Sequence, residues 1–114
     1  MKHLAFKIEF SVIYHDGFAE SLQDQKSRVI MALDIDQARR VAAAMRGEET
    51  LDAYEYLHEV LSVEPTTEEP SRNNPWDPMH TWKRLAHHLK LAPNEKIEPI
   101  LYNGAQVGIE IVNK

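Results

Sequence analysis

Leu4-Ala5-Phe6-Lys7-Ile8-Glu9-Phe10-Ser11-Val12-Ile13-Tyr14 carries a large apolar side chain at every second position from Leu4 to Tyr14, with Lys7, Glu9 and Ser11 between them. Side chains on a strand point alternately to opposite faces, so this period of two specifies a strand with one covered face. Much of the remaining chain reads as cover for that face. His15-Asp16-Gly17 supplies a turn and Phe18 to Gln25 a loop, after which Lys26 to Leu33 reads as a second strand. Val29, Met31 and Leu33 lie on one side of it and Arg28, Ile30 and Ala32 on the other. Apolar residues on both sides mark an internal strand, and the simplest partner is the first strand, antiparallel.

Asp34 or Asp36 caps the following helix, with Asp34 and Gln37 at the spacing of a capping box. Ile35, Ala38, Val41, Ala42 and Met45 form its apolar stripe, while Arg39, Arg40 and Arg46 project elsewhere and Gly47 suits its end. Residues 49–63 admit two readings. As a helix they place Leu51, Tyr54, Leu57 and Leu61 on one side and Glu48, Asp52, Glu55 and Glu59 on the other. As a strand they sort apolar from polar badly, so the period favours the helix, although Val60 to Val63 before Pro65 resembles a strand end.

Residues 64–76 are punctuated by Pro65, Pro70 and Pro75 and read as a flexible loop. Asp77-Pro78 then starts a helix whose stripe is Met79, Trp82, Leu85, Ala86 and Leu89, with His80, Lys83, Arg84, His87 and Lys90 on the remaining arc. Asn103-Gly104 between two apolar runs specifies a hairpin over Ile97 to Val112, in which Ile100 and Tyr102 share a face with Ala105, Val107 and Ile109. Pro99 places its strand near an edge. The expectation is a single α+β domain over residues 1–114. Its N- and C-terminal hairpins build an antiparallel sheet of four strands, or five, packed by two or three helices.

The 114 residues contain no cysteine, which excludes disulfides, thiolate nucleophiles and cysteine-ligated metals. No apolar run approaches the roughly 20 residues of a membrane helix, so a soluble, cytoplasmic protein is expected. Charge is the most informative feature. Glu48, Glu49, Asp52, Glu55, Glu59, Glu64, Glu68 and Glu69 fall between Gly47 and Ser71 with no lysine or arginine, which leaves +3 on the rest of a chain whose net charge is −5. A field of this kind attracts a basic protein surface or imitates the phosphates of nucleic acid. The plainer alternatives are a solvated helix face, or one that meets the basic arc of the Lys83 helix, within the chain or across a homodimer.

The leading expectation is therefore a non-catalytic interaction or regulatory module. Glu48, Asp52, Glu55, Glu59, Glu64, Glu68 and Glu69 would contact a basic protein partner. From a different class comes a small-molecule-binding protein or small enzyme with a pocket between sheet and helices, using His58 or His80. Nucleic-acid binding through Lys83, Arg84 and Lys90 is a third and weaker reading, because three cations leave a small footprint. No cofactor or metal is expected. His80 and His87 share a helical face but sit about 10 Å apart along it, too far to hold one ion. His15-Asp16 has only two letters of a phosphohydrolase pattern, and no serine or threonine has a triad context.

Overall fold

A computed structural model describes residues 3–15, 20–45, 55–70 and 87–114 of the chain. The alternating stretch forms strand β1, Leu4–His15, and it pairs antiparallel with β2, Glu20–Ala32. The second strand therefore begins at Glu20, inside the stretch that local composition assigns to a loop. Phe6, Ile8, Phe10 and Val12 are buried on one face of β1, and Ile30, opposite Phe6, and Ala32, opposite Leu4, are buried on the same face of β2.

Helix α1, Ile35–Ala44, packs on that face, and Ala38, Val41, Ala42 and Met45 enter the same core. Asp34 caps it as its spacing predicts: the Gln37 backbone N–H donates to Asp34 Oδ1 at 2.9 Å. Gln37 does not complete a reciprocal capping box. Its side-chain Nε2 donates to the Ile111 carbonyl at 2.8 Å and its Oε1 accepts from the Ile111 N–H at 2.9 Å, which ties α1 to the far strand. Gly47, the expected helix end, lies outside the described residues.

The hairpin at Asn103-Gly104 forms as expected, between β4, Glu95–Tyr102, and β5, Ala105–Asn113. Asn103 at φ 50° and Gly104 at φ 83° both adopt the left-handed backbone that a type I′ turn requires. Its register departs from the simple one. Leu101 pairs with Gln106 and Ile100 with Gly108, so Val107 is an extra residue and the alternation reverses across it. Ile109 and Ile111 consequently join the core beneath α1, whereas Ile100 and Val107 form a smaller cluster with Met31 on the opposite face.

Among the described residues the sheet is five-stranded, in the order β3-β1-β2-β5-β4, where β3 is Glu55–Pro65. It is mixed rather than wholly antiparallel, because β5 meets β2 in parallel at Met31 and Gly108. A Cβ at position 108 would overlap the Met31 carbonyl, so glycine is what lets the two hairpins close into one sheet.

β3 corrects the helical reading of residues 49–63: residues 55–65 are an edge strand, and residues 49–54 lie outside the described ones. Its register on β1 explains the helical appearance. Leu57, Val60 and Val63 pair with Val12, Phe10 and Ile8, while His58 and Leu61 fall at register shifts and have no partner position. Two bulges of one residue each thus stretch the period from two to three, which a local reading takes for a helix. Val60 and Val63 pack against the core. α1 is the one helix whose span is described. Of the expected Asp77 helix, residues 87 and 88 are described and helical, but Leu89 and Lys90, expected on its stripe and arc, are already outside it. The helix thus ends at residue 88, several residues before Pro93, while its start lies outside the described residues.

Candidate functional site

The bulge at Leu61 that aligns Val60 and Val63 with the core also sorts the acidic residues. Glu59, Ser62 and Glu64 pair with Ser11, Glu9 and Lys7 on the sheet face away from α1, and these continue across β2 to Gln25, Ser27 and Val29. Glu9, Glu59 and Glu64 are all exposed there.

Beyond Pro65 the chain first continues its pairing with β1 and then makes a local turn. The Thr66 N–H donates to the Ala5 carbonyl at 3.1 Å, and the Glu68 N–H donates to Thr66 Oγ1 at 3.2 Å. This local turn brings the Glu68 carboxylate to 3.2 Å from Lys7 Nζ. Pro70 is buried, which anchors the segment. Lys7 therefore stands among carboxylates, with Glu64 opposite it in the sheet and Glu68 in contact. The contact is solvent-exposed and contributes at most about 1 kcal/mol. A polar depression of about 200 Å³ lies beside it, lined by Lys7, Glu9, Gln25, Lys26 and Ser27. Leu61, at the second bulge, remains 44 % exposed next to the acidic rows.

Of the residues expected to contact a partner, Glu59, Glu64 and Glu68 come together on this face and Glu69 is exposed beyond them. Glu48 and Asp52 lie outside the described residues, as does the Glu55 side chain, although residue 55 begins β3. Glu9 belongs to the face but was not singled out by sequence, because its place depends on the β1–β3 register. The His58 side chain, His80, Lys83 and Arg84 also lie outside the described residues; Lys90 is described and exposed. No group of three or more His, Asp or Glu among the described residues is arranged to hold a metal ion. Exposed carboxylates without an apolar pocket around one of them suit attraction of cations better than acid–base chemistry.

Two charged residues acquire roles that sequence reasoning did not assign. Arg28, paired with Ile8 on the α1 face, is 3 % exposed, and burial pushes its guanidinium down to about 9. Its position as the lone charge beside Ile30 and Ala32 was the available signal. Arg40 grips Glu95 with two hydrogen bonds, each 3.0 Å, and donates to the Lys90 carbonyl at 2.9 Å. No local pattern announces that contact, because the partners are 55 and 50 positions away.

No described helix is long and apolar enough to cross a membrane. Comparison of the chain with protein-family models, curated proteins and solved structures finds no match.

Proposed function

We propose that the protein is a non-catalytic interaction module that engages a basic protein surface through the acidic sheet face built by β3, β1 and residues 66–70. The observation that carries this reading is the register: the bulge at Leu61 sets Glu59 and Glu64 on one face with Glu9, where Glu68 joins them. Carboxylates gathered in this way steer a cationic partner and select against acidic ones. Leu61 supplies an apolar contact at the margin of the charged rows.

Recognition runs through side chains of the face rather than by addition of a strand. The bulges in β3 and Pro99 in β4 interrupt the two described sheet edges, and both devices discourage strand pairing. The test is capture from native cell extract with the wild type and with the triple variant Glu9→Lys, Glu59→Lys, Glu64→Lys, after both are shown to fold. All three positions are exposed, so stability should change little. A basic partner held by the wild type, released by added salt and lost from the variant supports the proposal. Equal capture by both proteins, or no basic partner at low salt, overturns it.

A further inference from the structure

On the other side of the sheet, α1 and residues 88–90 border an open groove of about 290 Å³, lined among the described residues by Arg40, Ala43, Ala44, His88, Leu89 and Lys90. The volume sits near the lower bound of small-molecule pockets. Its wall is apolar where Ala43, Ala44 and Leu89 contribute, and the latter two are core residues that anchor it. Its polar lining among the described residues is Arg40, His88 and Lys90.

Arg40 is held in place before any ligand arrives. Arg40 spans from α1 to Glu95 and to the Lys90 carbonyl, and Glu95 Oε1 also accepts the Ala92 N–H at 2.8 Å. The segment that carries Leu89 and Lys90 is thereby fixed against the helix. A guanidinium has five N–H donors, and these bonds use three of them. The charge of Arg40 is balanced by Glu95, whereas the exposed Lys90 ammonium has no carboxylate partner among the described residues. One unbalanced positive charge beside an apolar wall matches a monoanion with a short hydrocarbon tail better than a dianionic phosphate.

We propose that this groove binds a small aliphatic monocarboxylate, with the carboxylate on Lys90 and Arg40 and the tail against Ala43, Ala44 and Leu89. This site is separate from the acidic face and does not depend on it. The test is an NMR titration of the full chain with hexanoate, with 1-hexanol and inorganic phosphate as comparators. Saturable shifts at Ala43, Ala44, Leu89 and Lys90 with hexanoate, and at least tenfold weaker binding of either comparator, are expected. Lys90→Met and Ala43→Leu alter exposed positions, one removing the charge and the other filling the groove, and each should weaken hexanoate at least tenfold while amide shifts elsewhere stay unchanged. Absence of saturable shifts at these residues overturns the proposal. So does 1-hexanol or phosphate binding as tightly as hexanoate, or undiminished affinity in the folded Lys90→Met variant.

Discussion

Glu95 shows how one side chain secures a junction that no strand pairing reaches. Hydrogen bonds from Arg40, and then from the Ala92 N–H, hold its carboxyl down at about 2, against an ordinary value near 4.5. Because the folded value is the lower one, the stabilisation is present above the ordinary value and is lost as pH falls from about 4.5 towards 2. The Glu95→Gln variant should therefore show a flatter loss of stability over that interval, measured as the urea midpoint against pH; an acid limb identical to that of the wild type would contradict the assignment. Arg40 is shifted upward by the same partner, so no pH in the neutral range releases it. Arg28 behaves in the opposite sense: its burial disfavours the charged form, yet a value of about 9 keeps it cationic at neutral pH.

Among the elements, β1, the antiparallel β1–β2 pair, the Asp34 cap of α1 and the Asn103-Gly104 turn were legible because each is written in local periodicity or local backbone chemistry. β3 was not. Its alternation is broken at His58 and Leu61, and only the partner strand reveals which residues are extra. Val107 hides the register of the last hairpin in the same way. Adjacent residues in β3 should accordingly respond very differently to the same substitution. Val60→Lys removes a half-buried aliphatic group from the core and should cost about 1–2 kcal/mol in denaturant unfolding. Glu59→Lys, one position earlier and exposed, should stay within about 0.5 kcal/mol. Comparable costs at the two positions would refute the assigned faces.

Across the whole molecule, two hairpins are joined by a parallel contact at Met31 and Gly108, by the Gln37 bonds to Ile111 and by the shared core under α1. The sequence identifies both hairpins but contains no local signal for that seam, because Gly108 reads as an ordinary strand glycine until the Met31 carbonyl is placed beside it. The excess of acid over base between Gly47 and Ser71 was equally legible, whereas its position in space was not. A helix would have displayed Glu55 and Glu59 with Glu48 and Asp52; the bulged strand instead aligns Glu59 and Glu64 with Glu9 of a strand some fifty positions earlier. The proposed interaction face is a product of that register.

NMR cross-strand contacts between β1 and β3 test this most directly. Nuclear Overhauser effects linking Lys7 with Glu64, Glu9 with Ser62 and Ser11 with Glu59, without partners for His58 and Leu61, are the predicted result. Sequential contacts of helical type through residues 55–63, with none to β1, would contradict it and dissolve the acidic face.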